Sequence, residues 1–305
     1  GDTTNNCGSS CAFIITDAKL ATITANNLTI GDSGSGAMVV ENVTAANTAN
    51  ITNLNLVSGS TMDFDNAASS FVNSLTVSAA GNITQSVGVT VGGSSSFTNS
   101  AGDITMNYAL NNLGTGLTVN TIGNIAVVTA STLTDLNVTV DPGGTDTYSI
   151  TATGLTFTVT DSGSDVVVTS VSQSGLNFSL TTSTGNLSLG DLAIDTGAGN
   201  VSLVSTLGNI NEANNVGTAN ITTTGSVSLS GETGVGNAST FDVASTTNLT
   251  IDTDNSFNVD TGSTVLTDLS IIVDPATSST YILTSSGVTL SLASSSTDID
   301  TFVLS

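Results

Sequence analysis

The chain is expected to be all-β, a parallel β-solenoid (β-helix) built from two related modules. Three observations lead there: apolar residues that alternate with Thr and Ser, a recurring Gly-Asn-aliphatic beat, and a long internal repeat. Val, Ile, Leu and Ala run through the whole length interleaved with Thr and Ser, the composition of half-buried strands whose side chains alternate between two faces. Helix formers are scarce, and no window carries a convincing 3.6-residue apolar period. Aromatic residues are 4% of the chain and Trp is absent, which suits a narrow core of stacked aliphatic ladders better than a conventional globular core.

The beat comes first in the chain. Gly81-Asn82-Ile83, Gly102-Asp103-Ile104 and Gly123-Asn124-Ile125 recur at a spacing of 21, each ahead of an alternating stretch. A period near 20 is what one solenoid coil requires, with turns where Gly, Asn or Asp accepts positive φ (about 20–29 residues per repeat in comparable solenoids). Farther on, Gly185, Gly199, Gly208 and Gly225 are unevenly placed. That leaves an alternative, tandem antiparallel β-sandwich domains, in which 135–141, 147–152 and 155–161 are successive antiparallel strands.

The internal repeat is an ungapped shift of 133 residues: 133–142 (LTDLNVTVDP) recurs at 266–275 (LTDLSIIVDP), Tyr148 falls on Tyr281, Thr151 on Thr284, Gly154 on Gly287 and Asp165 on Asp298. Both prolines, Pro142 and Pro275, are therefore one position in two copies. Upstream, with small gaps, 116–121 pairs with 248–253 and Gly81-Asn82-Ile83 with Gly208-Asn209-Ile210. The organisation read from this is an amino-terminal cap or leading β segment at 1–74, a first module at 75–170, connecting coils at 171–200 and a second module at 201–305.

Charge excludes many functions. One basic side chain, Lys19, faces 24 Asp and Glu, with no His, for a net charge of -23. Acid-base catalysis near neutral pH, phosphate recognition and nucleic-acid binding all draw on His, Lys or Arg, of which this chain has Lys19 alone. Yet only 8% of residues are charged and the mean hydropathy is +0.30, so disorder is not expected. No apolar run has the length of a membrane span, so membrane insertion is not expected. The sequence begins at Gly1 without a basic and apolar leader, as a mature product or an excerpt would. Cys7 and Cys11, in C-G-S-S-C, are expected to form a local disulfide in an oxidising, extracellular setting; the alternative is two reduced thiols.

The repeats Gly-Asn-Ile-Thr at 81–84, Gly-Asn-Leu-Ser-Leu at 185–189, Gly-Asn-Val-Ser-Leu at 199–203 and Gly-Ser-Val-Ser-Leu at 225–229 resemble the degenerate coil repeats of filamentous-haemagglutinin-like bacterial exoproteins. The resemblance covers about two thirds of the chain and implies a right-handed parallel β-helix in a secreted adhesin or surface fibre. No two-partner secretion domain and no anchor is recognised in this sequence, so a passenger region or a self-contained fibre subunit is expected.

Candidate sites are few. Asp63 and Asp65, Asp252 and Asp254, and Asp298 and Asp300 each place two carboxylates on one face of a strand, a weak Ca²⁺ pattern for which solvated strand edges are the preferred explanation. Eleven N-x-S/T sequons occur, among them Asn27, Asn82, Asn137, Asn186 and Asn248, about as many as the Asn, Ser and Thr content supplies by chance. Thr-x-Thr pairs at 156–160 and 222–224 do not follow the 21-residue beat that an ice-binding array would need. The apolar run Phe13, Ile14 and Ile15 beside the cysteines is a candidate interface, or a buried first strand. No catalytic residue and no cofactor other than weakly held Ca²⁺ is assigned. The expected function is a non-enzymatic, extracellular structural protein of the cell surface that self-assembles head-to-tail with other copies of itself, with glycans or divalent cations as further partners. The alternatives are an adhesin passenger that binds glycans and, third, a carboxylate-only polysaccharide-active enzyme.

Overall fold

The computed structural model describes residues 15–304 apart from 142–145, 162, 164, 214–216, 238, 274–278, 287 and 295–300. Its strands stack as parallel β-solenoid coils. The described helices are two single turns, α1 (Asp17–Leu20) and α2 (Ala45–Thr48). Two compact units are present, Gly1–Asp135 with Ser149–Thr153, and Leu136–Tyr148 with Gly154–Ser305.

The first unit runs β1 (Ala25–Asp32), β2 (Met38–Val40), β3 (Ile51–Ser58), β4 (Met62–Phe64), β5 (Ser69–Phe71), β6 (Ser74–Ala79), β7 (Ile83–Gln85), β8 (Val89–Val91), β9 (Ser95–Asn99), β10 (Ile104–Met106), β11 (Gly116–Thr121) and β12 (Ile125–Val128). One side of the coils is the sheet β1-β3-β6-β9-β11, a second is formed by β2, β4, β7, β10 and β12, and β5 with β8 begins a third. Pairing is parallel, so each coil sets like beside like. Ile30 pairs with Leu56, Leu56 with Val77, Val77 with Phe97 and Phe97 with Val119. Met62, Ile83, Ile104 and Ile125 form a second ladder from the next side. These residues are buried from Leu56 onward, and each such side chain contributes on the order of 1.5–3 kcal/mol by leaving water. Beside the first coil, the Asp17 carboxylate accepts from the Thr44 N–H and Oγ1 and from Asn47 Nδ2, tying α1 to the start of α2.

The remaining strands are β13 (Asp135–Val140), β14 (Thr147–Thr151), β15 (Thr156–Asp161), β16 (Asp165–Ser172), β17 (Asn177–Thr182), β18 (Asn186–Leu189), β19 (Ile194–Gly197), β20 (Val201–Ser205), β21 (Asn209–Glu212), β22 (Ile221–Thr223), β23 (Val227–Gly231), β24 (Gly234–Val235), β25 (Phe241–Ala244), β26 (Asn248–Thr253), β27 (Phe257–Asp260), β28 (Asp268–Val273), β29 (Ser279–Ser285), β30 (Val288–Ser294) and β31 (Thr301–Leu304). In the second unit Leu180, Leu203, Leu229, Ile251 and Ile271 stack rung on rung. On another side Leu187, Ile210, Val235, Phe257 and Tyr281 do the same.

The antiparallel alternative fails as an architecture but is right locally. β15 pairs antiparallel with β14 and with β16, and β30 with β29. Alternation alone cannot separate the two cases, because both kinds of ladder have the same two-residue period. The internal repeat carries this hairpin with it. Thr147↔Thr160 and Tyr148↔Val159 recur 133 residues on as Thr280↔Ala293 and Tyr281↔Leu292.

The Gly-Asn beat marks the corners where one coil is tied to the next. The Asn side-chain carbonyl or Asp carboxylate oxygen accepts the backbone N–H of the equivalent residue one coil later: Asp103 N–H to Asn82 Oδ1 at 2.9 Å and Asn124 N–H to Asp103 Oδ1 at 2.9 Å. A Cβ on Gly123 would lie 2.3 Å from the Gly102 carbonyl oxygen, so that coil spacing requires glycine. A buried hydroxyl just upstream completes the corner, as Thr121 Oγ1 donates to the Gly102 carbonyl at 3.0 Å. Ser205 to Gly185, Thr223 to Gly199 and Thr246 to Gly225 repeat the bond at 2.8, 2.6 and 2.7 Å. The uneven later glycines thus resolve into two series. Gly185 and Gly208 stack at the corner entering β18 and β21, and Gly199 and Gly225 at the corner entering β20 and β23.

Candidate functional site

Asp63, Asp65, Asp252 and Asp254 are half-buried on the outward side, and the coils themselves use several of them. Asp63 Oδ1 accepts from Thr84 Oγ1 at 3.0 Å, and Asp65 Oδ1 accepts from Ser86 Oγ, each partner sitting 21 residues on. The Ser86 hydrogen bond, helped by the Asn66 N–H, holds the Asp65 carboxyl below its usual range. Asp252 Oδ2 accepts from Ser230 Oγ at 3.3 Å. With Asp254 and Glu232 it lines a groove of about 210 Å³ in the second unit. Among the described residues, no three His, Cys, Asp or Glu side chains converge as metal ligands. Asp298 and Asp300 lie outside the described residues, as do Cys7, Cys11, Phe13 and Ile14; Ile15 is half-buried just ahead of α1.

The sequon asparagines have varied roles. Asn27, Asn82, Asn137 and Asn248 are exposed and Asn186 is half-buried. Asn82 and Asn186 are corner residues: Asn186 Oδ1 accepts the Asn209 N–H at 3.0 Å while its Nδ2 donates to Asp165 Oδ1 at 2.6 Å. Asn27 Oδ1 accepts from Asn53 Nδ2 at 2.9 Å, and Asn248 Oδ1 from Thr267 Oγ1 at 3.3 Å.

Two features escaped the sequence reading. In the second unit Asp242 pairs in register with Asp260, with Glu212 and Asp191 nearby. Burial, then the charges of Asp260, Glu212 and Asp191, push the Asp242 carboxyl up to about 6. These residues are spread over 70 positions, and only the coil register brings them together. In the first unit a groove of about 290 Å³ runs between Asn66, Ala67, Val87, Thr90, Tyr108 and Leu110. Tyr108 is 39% exposed and Leu110 75%, whereas the other aromatic side chains described are buried in the core. Tyr108 lies in an unpatterned stretch after β10, which is why periodicity gave no sign of it.

Residues 52–120 match a family described as repeats of unknown function, DUF5649. No curated protein and no solved structure matches the chain. The matched segment runs from within β3 to within β11 and contains the Gly81 and Gly102 corners.

Proposed function

We propose that the chain is a non-enzymatic, extracellular structural protein whose coils associate end to end with other copies to build a surface filament. One observation carries the reading. Among the described residues the outer edge of β1 bears no strand, and its ladder residues Leu28 and Ile30 are half-buried where their partners Leu54 and Leu56 are buried. An open parallel edge above an incomplete aliphatic ladder is completed most simply by another coil of the same kind. Repeated head-to-tail contact propagates as a fibre. The resemblance to filamentous-haemagglutinin-like repeats and the match to a repeat family support the same reading. With 24 acidic residues against one basic, lateral repulsion keeps such bodies apart, and divalent cations are the natural bridges between them. Sedimentation velocity over a concentration series tests the proposal: it requires species that grow with concentration, and a single-chain species throughout would overturn it.

The Tyr108 groove favours a second reading, an adhesin passenger. A half-exposed ring flanked by Asn66 and Thr90 suits the apolar face and hydroxyls of a neutral glycan. Binding to a neutral glycan panel that disappears in Tyr108→Ala would support it; binding indifferent to that substitution would sink it.

A further inference from the structure

The two copies of the repeat place the same sequence position on different partners. β13, β14 and β15 map onto β28, β29 and β30 at the 133-residue offset, with the hairpin register retained. The next strand does not follow. Residues 168–171 lie in β16 and pair antiparallel with β15, Phe157 opposite Val171 and Val159 opposite Val168. Their equivalents, 301–304, form β31, which pairs antiparallel with β28 instead: Leu269↔Leu304, Ile271↔Phe302, Ile272↔Thr301.

In the first copy the corresponding edge, that of β13, carries the first strand of the next coil. β17 follows β13 in the sheet, and the Ser183 N–H donates to the Val140 carbonyl at 3.0 Å where the two strands end together. β31 therefore sits where a following coil sits elsewhere in the molecule. Among the described residues, the edge of β30 equivalent to the one β16 occupies on β15 is left without a strand. The second copy also carries an unmet polar group. The Tyr281 hydroxyl is buried without a hydrogen-bond partner, whereas that of its equivalent Tyr148 lies 3.5 Å from Asp161 Oδ2. Position 161 corresponds to Ser294.

We infer that β31 is an exchangeable strand: it leaves β28 and pairs with β30 as β16 pairs with β15, and the β28 edge it vacates accepts β1 of a second copy in parallel. Setting Leu28 beside Leu269 and Ile30 beside Ile271 continues both ladders, since each pair is two residues apart on its strand. A second copy is the fitting occupant because β1 is a parallel strand with one edge unpaired among the described residues and an incomplete ladder. Strand for strand, the antiparallel β28–β31 contact is exchanged for an antiparallel β30–β31 contact, so the parallel β28–β1 ladder is net gain. This inference rests on the end-to-end reading above and names its interface.

Two cysteine pairs in a Cys7→Ser, Cys11→Ser background test it. Leu269→Cys with Leu304→Cys closes the observed pairing, and Leu290→Cys with Leu304→Cys closes the one the repeat dictates, the equivalent of Phe157↔Val171. Mass spectrometry after mild oxidation is expected to find both intramolecular disulfides. Closure of the first pair alone overturns the exchange. In the assembly assay, oxidised Leu269→Cys/Leu304→Cys is expected to lose assembly and regain it on reduction, while oxidised Leu290→Cys/Leu304→Cys assembles. Equal assembly of both oxidised proteins overturns the assignment of the β28 edge but leaves end-to-end association standing. Closure of both pairs with no assembly of any form overturns the association itself while leaving the exchange intact.

Discussion

Asn82 Oδ1 accepts the backbone N–H of Asp103 at 2.9 Å, and 21 residues later Asp103 Oδ1 accepts that of Asn124 in the same way. The pattern returns at Asn186 with Asn209 and, at the other corner, at Asn177 with Asn200 and Asn200 with Ser226. A short side chain carrying an acceptor is what this position needs. Asn82→Ala is expected to cost about 1 kcal/mol, the value of one such bond to a backbone N–H, while Asn82→Asp retains most of it. Urea unfolding of the three proteins measures this. Equal losses for Ala and Asp would contradict it.

The close approach of Gly123 to the Gly102 carbonyl yields a sharper contrast. A methyl group there has no room, so Gly123→Ala is expected to destabilise by about 1–3 kcal/mol through overpacking of coil on coil. Gly36, with nothing within 4 Å of a built Cβ, is the control, and its Ala variant should stay within about 0.5 kcal/mol of the parent. Similar unfolding midpoints for the two variants would contradict the steric account.

Two buried asparagines of the first unit should respond to one substitution with opposite sign. Asn111 is fully satisfied, accepting from Gln85 Nε2 and the Val89 N–H, while the two hydrogens of its Nδ2 are shared among Gln85 Oε1 and the Met106 and Val128 carbonyls. Asn99, 4% exposed, has no partner for either amide atom. Asn111→Val is expected to lose roughly 2–4 kcal/mol and Asn99→Val to gain on the order of 1 kcal/mol. Denaturant midpoints with matched slopes check both signs.

Asp242 makes stability depend on pH in an unusual direction. Its folded-state value of about 6 lies above the ordinary carboxyl value of 3.8, so the folded chain takes up this proton first. Stability from this group therefore rises as pH falls through about 6 and is complete below the ordinary value. The charges of Asp260, Glu212 and Asp191, which face it, add to burial in raising the Asp242 carboxyl. Thermal melts between about pH 7.5 and 5 should shift upward on acidification, and Asp242→Asn should flatten that shift and melt higher at the upper pH. A parent protein that melts lower at the acid end would contradict this.

Much of the fold was legible because a stacked coil writes its constraints into the sequence locally. Gly102 and Gly123 stood out since close coil contact tolerates glycine alone, and the interleaving of Val, Ile and Leu with Thr and Ser marked the strands without naming the ladder residues. The interleaved corners of Gly185 with Gly208 and Gly199 with Gly225 read as irregularity, because two series with different spacings overlap along one chain. Buried Thr121, Thr223 and Thr246 looked like ordinary strand residues, and only their bonds to a carbonyl one coil away mark them as corner pieces. The Asp242 cluster and the Tyr108 groove were invisible for a related reason. Each is assembled from neighbours in adjacent coils, and that adjacency depends on coil lengths that vary.

The central claim, that the outer edge of β1 joins one chain to the next, is tested most directly by negative-stain electron microscopy of the purified chain beside its Ile30→Asp variant. Ile30 belongs to the half-buried outer ladder, so the substitution places a charge at the proposed joint without entering the buried core. The expected result is unbranched filaments for the parent and single particles for the variant, with matching circular dichroism spectra. Filaments of equal length from both proteins would contradict the claim.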